Sequence, residues 1–408
     1  MPLSPPACGI PFVVAAALCA ALSCQQATRP GAARPAAAAR ATQPVLAIGS
    51  VPAPRSALAE TRPETAAAIG RALDWLLARQ QENGRWDCDA GEGGGSAVHD
   101  VAVTGLALLA LSREGTVGRD DPRREPILRG VHWLALQQQE NGLLGTAASH
   151  DFVYDHATAT LGLAAAAAAT GSAEAIEAVR GGVAYLERHR NPYSVWRYQP
   201  RDNDNDTSVT TWATLGCLAA RELGVPVADA ALGCARIWFD QVTGDDGRTG
   251  YTRAGQPSSR RVDSAKRFPP EHGEAMTGAA LWCRQALGED VTPDSELAAG
   301  MALLVAKPPV WQPDAGKVDL CYWFFAAEAL RRVDDDVRAG WCDALQQALR
   351  LGQRDDGAWD AVDPWGHDGG RLYSTTLAVL ALQALYEVPA LRAAESPPPA
   401  DASDPKDK

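Results

Sequence analysis

A short phrase recurring at helix ends restricts the fold more than any other feature. "LARQQENGRWD" carries Gln80, Gly84 and Trp86, and "LGQRDDGAWD" carries Gln353, Gly357 and Trp359. "LQQQENGLLG" repeats the phrase with Gln138, Gly142 and Leu144. Each copy follows an amphipathic stretch. A glutamine at a helix C-terminus holds its amide near the carbonyls that the last turn leaves free. The glycine supplies the positive φ of the stop, and the tryptophan folds back onto the helix just ended. Recurrence of one such unit signals a repeat architecture, which decides the fold before any single element does.

A second pattern follows the first. "DVAVTGLALLAL", "DHATATLGLAAAA", "DTSVTTWATLGCLA", "GEAMTGAALWCRQAL", "VDLCYWFFAAEAL" and "RLYSTTLAVLALQAL" read as six helices, apolar nearly all round. Helices of that kind are buried on every side. Five carry an early threonine (Thr104, Thr160, Thr211, Thr277, Thr376), and four begin at an aspartate (Asp100, Asp155, Asp206, Asp319). Amphipathic helices lie between them, near 65–81, 125–139, 173–189, 227–242, 294–306 and 338–352. Inner and outer helices thus alternate as six hairpins. An open solenoid is one solution. A closed ring is the expected one, because the terminal repeats lack the polar outer faces of solenoid caps. Closure places all inner N-termini on one face.

The chain has 408 residues, 46% hydrophobic and 22% charged, enough for one large core. The net charge is −12 and no Lys/Arg cluster stands out, so nucleic acid is not an expected partner. Of nine cysteines, Cys8, Cys19 and Cys24 fall near the start, and the others are scattered with no zinc-finger spacing. Buried free thiols are expected there. The run "IPFVVAAALCAALSC" has the length of a signal-peptide core and is too short to span a bilayer. It ends at Leu22-Ser23-Cys24, which resembles a bacterial lipobox, although no Lys or Arg precedes the run. The expected organisation is a signal peptide over 1–24 with lipidation at Cys24, a flexible linker over 25–60, the helical ring over 61–392 and a disordered tail over 393–408. The expected location is periplasmic or cell-surface, with a lipid anchor holding the protein to the membrane.

The Q-x-x-x-G-x-W phrases on alternating helices resemble the squalene–hopene cyclase and protein-prenyltransferase β-subunit superfamily. Over about residues 62–390, "PYSVWRYQP", "DLCYWFF" and "GGRLYSTTLAVLAL" look most like its exported bacterial members with prenyltransferase and squalene oxidase repeats. The resemblance implies an all-α fold, an α/α toroid of six helical hairpins.

It also implies two chemistries to test. Squalene–hopene cyclases protonate an alkene with the middle Asp of D-x-D-D-T at an inner-helix start, where "NDNDT" stands here. In register with Thr207 the donor position holds Asn205. Shifted by one residue the frame puts Asp204 there, so Asp204 and Asp206 are the catalytic candidates. A plainer reading makes Asp206 a helix cap. Protein prenyltransferases bind zinc through D-x-C and a distant His. Asp319-Leu320-Cys321 fits the first half, but the His position holds Ser374, so no metal and no cofactor is assigned.

One observation stands apart from any family. Five of the seven histidines, His99, His150, His156, His272 and His367, fall at or just before inner-helix starts. Asp100, Asp151, Asp155, Glu274 and Asp319 accompany them. Ring closure gathers these at one mouth together with the aromatics Tyr154, Trp196, Tyr198, Trp212, Tyr322, Trp323 and Tyr373. The expected ligand cavity is lined by these aromatics with His99, His156, His272, Glu274 and Asp319, and helix N-termini aimed into it favour an anionic ligand. Two functions follow. The first is binding of a lipid, isoprenoid or other ligand in the cavity, with a protein-interaction scaffold beside it. The alternative is an enzyme, either a terpenoid cyclase-like isomerase or a hydrolase or lyase working at the His/Asp-rich mouth.

Overall fold

A computed structural model describes residues 62–90, 94–261, 264–292 and 295–385. The leader, Cys24, the linker and the tail lie outside the described residues. Among the described residues there are twelve α-helices and no strand beyond four isolated bridges. No helix there is long and apolar enough to cross a membrane.

The even-numbered helices form an inner ring: α2 (Asp100–Ser112), α4 (Phe152–Thr170), α6 (Thr207–Glu222), α8 (Ala275–Ala286), α10 (Leu320–Leu330) and α12 (Gly366–Gln383). Each packs on the next, and α12 packs back on α2. The ring is closed, and the fold is an α/α toroid. The odd-numbered helices clad it: α1 (Pro63–Arg79), α3 (Arg124–Leu136), α5 (Ala173–His189), α7 (Asp229–Val242), α9 (Glu296–Val305) and α11 (Asp335–Gly352).

Composition sorts the two layers. In α2 every residue except Ala102 is buried. In α5 the buried residues, Ala175, Ala178, Val179, Gly182, Val183, Leu186 and His189, recur at three and four residues, which is one helical face. The inner helices approach closely where side chains vanish. A Cβ at Gly105 would lie 2.6 Å from the Ala159 Cα, and one at Gly162 would lie 2.1 Å from the Gly105 carbonyl oxygen. Any larger residue at this crossing pushes α2 and α4 apart.

The repeated phrase folds into a clasp between successive hairpins. Gln80 Nε2 donates to the Gly84 carbonyl in its own loop and to the Pro126 carbonyl on the next outer helix. Gln138 does the same with Gly142 and Ala178, and Gln353 with Gly357 and Ala68. The loop glycines have φ of 96° (Gly84), 83° (Gly142) and 93° (Gly357). A Cβ at Gly84 would also sit 2.3 Å from the Arg129 carbonyl oxygen, so glycine is needed for space as well as for φ. Trp86 Nε1 donates to Leu76 O, and Trp359 Nε1 to Leu349 O, each ten residues back on the helix just ended.

Each clasp is then fastened to the inner helix that follows. The Trp86 N–H donates to Thr104 Oγ1, Thr249 N–H to Thr277 Oγ1 and Trp359 N–H to Thr375 Oγ1. The early threonines receive the clasp backbone. In two helices the receiving threonine is one residue before the expected one: Thr210 precedes Thr211 and Thr375 precedes Thr376.

Candidate functional site

Residues from the first turns of all six inner helices line a cavity of about 340 Å³. Deeper positions make its floor: Val103 and Leu106 of α2, Trp212 of α6, Met276 of α8, Phe325 of α10 and Leu377 of α12. Trp212 and Phe325 lie 5.3 Å apart by ring centroid, in a cluster with Phe324 and Trp282. The rim is polar, with His99, His150, Asp151, Asp155 and Asp368 beside the hydroxyls of Tyr154, Tyr198, Ser208, Tyr251 and Tyr373. The connection between α7 and α8 crosses the rim through Ser258, Ser259, Arg260 and Arg261. It is pinned by Arg260 Nη2 donating to Asp319 Oδ2 at 2.5 Å and by Arg261 Nη1 donating to Asp368 Oδ1 at 3.1 Å.

Two buried carboxyl groups stand out here, Asp155 on the cavity wall and Asp206 behind it. His99 stands in the turn before α2, and its Nδ1 lies 2.9 Å from Oδ1 of Asp155, one turn into α4. Burial pushes the Asp155 carboxyl up to about 6, against the pull of His99. The hydrogen bond that His99 makes to the Asp155 carboxylate raises the imidazole in turn. His99 and Asp155 thus form a buried histidine–carboxyl pair on the cavity wall.

The second carboxyl is Asp206. It caps α6, with Oδ1 accepting from the Val209 N–H at 2.8 Å and from Ser208 Oγ at 3.1 Å. Its Oδ2 accepts from Tyr251 Oη at 3.2 Å, and Arg197 Nε lies 3.5 Å away. Tyr251 Oη is 2.5 Å from Tyr198 Oη, and Tyr154 Oη is hydrogen-bonded to Ser208 Oγ. Burial raises Asp206 to about 6 as well, the helix cap and the hydroxyls holding it lower than burial alone would.

The structure brings some of the expected residues together and not others. His99, Tyr154, Tyr198, Trp212 and Tyr373 line the cavity. His150, Asp151 and Asp155, noted at helix starts, also line it, while Ser208, Tyr251, Arg260 and Trp365 carried no signal in the repeat pattern. Asp204 does not: its side chain is 69% exposed and pairs with Arg197 in the loop before α6. His156 points outward and is fully buried. Its Nδ1 accepts from the Leu144 N–H, and its Nε2–H donates to Gly182 O. It occupies the threonine's place in the second clasp, and burial lowers its pKa to about 3, so it stays neutral. Trp196 is a further clasp, its Nε1 donating to Leu186 O ten residues back.

The remaining corrections share one cause. A helix start presents side chains to the outer layer as well as to the centre. His272 is exposed and bonded to Gly316 O. Glu274 is held by Arg248, Lys307 and Thr277. Tyr322 donates outward to Leu304 O and Lys307 O, and Trp323 packs on Trp311. Asp319 caps α10 through the Tyr322 N–H and spends its other oxygen on Arg260. Asp206 and Asp319 cap α6 and α10, so at those two helix ends a carboxylate of the chain itself already accepts from the first turn.

Cys321 lines the cavity, and burial pushes its thiol well above the usual range, beside an Asp319 whose two oxygens are taken by Tyr322 N–H and Arg260. Burial and the neighbouring Asp319 raise the Asp363 carboxyl behind it to about 7. Among the described residues one carboxylate cluster is compact enough to share a cation, Asp87, Asp89 and Asp100. It lies outside the cavity, and Arg85 already pairs with Asp87 and Asp100. The six cysteines among the described residues form no disulfide.

No family model matches the chain, and no curated protein matches it by sequence. Solved structures match it in fold. An inactive variant of the alpha-1,6-mannanase GH76A of Salegentibacter sp. HEL1_6, in complex with alpha-1,6-mannotriose, is 11% identical, with 79% of this chain and 99% of that chain covered at a TM-score of 0.56. The GH76 alpha-mannanase of Bacteroides thetaiotaomicron is 11% identical, covering 79% and 95% at 0.51. The type II terpene cyclase MstE from Scytonema is 14% identical, covering 79% and 98% at 0.50. At these identities the likeness is one of fold, and the fold is shared by a terpene cyclase and by mannanases.

Proposed function

We propose that the chain is a cyclase-like acid–base isomerase of the squalene–hopene cyclase type, working in its central cavity on a small isoprenoid or related lipid. Asp155 hands a proton to the ligand, and His99 tunes that acid and reloads it. One observation carries this reading: a buried carboxyl held near pH 6 by burial, bonded to a histidine, on the wall of a cavity floored by Trp212, Phe325 and Met276. An acid that transfers protons efficiently has a pKa near the working pH. A floor of aromatic and aliphatic side chains selects an apolar body. The volume is near the lower end for ligand pockets, about 300–1,000 Å³, which suits a short chain. Export, and anchoring through a lipid on Cys24, form part of the proposal and rest on the leader sequence.

A second reading, a hydrolase acting on a sugar-like ligand, has the three rim carboxylates Asp151, Asp155 and Asp368 in its favour. Release of sugar from synthetic mannosides would decide for it.

Native mass spectrometry and calorimetry with farnesol as the probe test the first reading. Wild-type protein should bind farnesol, and Ala102→Phe, which fills the cavity from α2, should not. Equal binding by the two, or none by the wild type, overturns it.

A further inference from the structure

The Asp155–His99 pair accounts for one proton at the cavity and leaves Asp206 unused. Asp206 is 0% exposed, yet it is connected to the cavity by two chains of hydroxyls. In the first, Tyr251 donates to Asp206 Oδ2, so the short contact with Tyr198 must have Tyr198 donating to Tyr251. In the second, Ser208 donates to Asp206 Oδ1, so Tyr154 must donate to Ser208. Both chains therefore run toward the carboxylate. Each begins at a phenol hydroxyl on the cavity wall, Tyr198 or Tyr154, and these two hydroxyls also interact with each other. A helix cap needs neither chain, since the Val209 N–H alone satisfies that role.

We infer that Asp206 is a second proton station of the cavity, a store that accepts the proton a ligand gives up, through Tyr198 and Tyr251 and in parallel through Tyr154 and Ser208. This deepens the isomerase reading and rests on it. The balance is closed. Asp155 gives its proton to the ligand and becomes a carboxylate. The cationic ligand then loses a proton from a neighbouring carbon to Tyr198 Oη, and the C–H electron pair becomes a C=C bond. The Tyr198 proton moves to Tyr251 and the Tyr251 proton to Asp206 Oδ2. One proton has entered the ligand and one has left, so the ligand is isomerised; Asp206 then releases its proton to water and Asp155 regains one through His99, which restores both carboxyl groups with no co-reactant consumed. Entry and exit are separate groups, Asp155 on α4 and Asp206 at the N-cap of α6, which allows proton gain and loss at different carbons.

The surroundings fit a store of this kind. Arg197 faces Asp206 at 3.5 Å and lies over the rings of Tyr198 and Tyr251 at 5.3 and 5.7 Å, and Asp204 is paired to the same arginine. The guanidinium keeps the carboxylate charged while waiting. Burial works the other way and keeps the protonated form within reach near pH 6.

Two measurements test the inference. The first needs no ligand. In pH-difference infrared spectra, wild-type protein should show a carboxylic-acid C=O band titrating near pH 6 that Asp206→Asn removes. Tyr251→Phe, and also Tyr198→Phe at the cavity end, should shift it. A band indifferent to both tyrosines overturns the inference, whatever the activity proves to be. The second uses farnesol in deuterated water. Tyr198→Phe combined with Ser208→Ala breaks both chains and keeps the Val209 cap. It should slow conversion at least tenfold and redistribute products among double-bond isomers, with uptake of deuterium from Asp155 intact. Unchanged product ratios overturn the inference. No conversion by the wild type overturns the isomerase reading instead, and the infrared result then decides alone whether Asp206 is a store.

Discussion

Gln353 at the end of α11 donates to the Ala68 carbonyl of α1 at 2.8 Å, across 285 residues of chain. Gln80 and Gln138 make the same bond to the next outer helix, at Pro126 and Ala178. The last hairpin therefore treats the first as its successor, and the ring closes with the repeat's own contact. Gln353→Ala removes three hydrogen bonds, those to the Ala68 and Gly357 carbonyls and the one accepted from Arg71, and strands the two carbonyls. It should destabilise by about 1–3 kcal/mol, with Gln80→Ala costing a similar amount. Denaturant unfolding checks this. A loss for Gln80→Ala with none for Gln353→Ala would mean that closure does not rest on the clasp.

The clasp tryptophans are a stability feature. Trp86, Trp196 and Trp359 are each 0% exposed and bonded to the helix just ended. Replacing any of them with Ala should cost about 3–5 kcal/mol. Trp196→Ala should leave farnesol affinity intact in the folded fraction, since Trp196 does not line the cavity. Thermal unfolding and calorimetry separate the two effects.

His156 does in the second hairpin what Thr104, Thr277 and Thr375 do elsewhere. Its pKa is lowered by burial to about 3 in the fold, from an ordinary 6.5. Below pH 6.5 the unfolded chain binds a proton that the folded chain refuses. Stability is therefore full above pH 6.5 and is lost as pH falls toward 3. His156→Thr should remove that part of the acid sensitivity. The difference in unfolding free energy between variant and wild type, measured at pH 7.5 and pH 5, should move in the variant's favour at pH 5.

The loop acids should divide cleanly. Asp206→Ala loses the α6 cap and should cost about 0.5–2 kcal/mol, and Asp206→Asn, which keeps an acceptor oxygen, less. Asp204→Asn should change neither stability nor farnesol binding, because its side chain is 69% exposed. Loss of binding in Asp204→Asn would return that residue to the site.

Cys24→Ala should move the protein from the membrane fraction to the soluble one. Retention in the membrane would contradict a lipid anchor at Cys24.

The two helix layers were readable because burial on every side and burial on one face leave different periods in a sequence, as α2 and α5 show. The direction of single side chains was less readable. His156 and His99 both stand at an inner-helix start, yet one faces Gly182 on the outer layer and the other faces Asp155 at the cavity. Proximity to a helix N-terminus says nothing of azimuth, which depends on ring geometry. Tyr251 and Arg260 come from a long connection with no periodicity, and only the fold carries them to the mouth. The Thr243–Thr249 clasp with Gly247 lacks both Gln and Trp, so the phrase that exposed the other copies did not expose it.

The central claim is that Asp155, paired with His99, delivers a proton inside the toroid. Conversion of farnesol in deuterated water, followed by mass spectrometry across pH 4.5–8, tests it most directly. The account predicts deuterium on carbon in the wild-type product and kcat/KM falling as pH rises through about 6, where Asp155 gives up its proton. It also predicts loss of at least about a hundredfold in Asp155→Asn. Deuterated product formed by Asp155→Asn at the wild-type rate would contradict it.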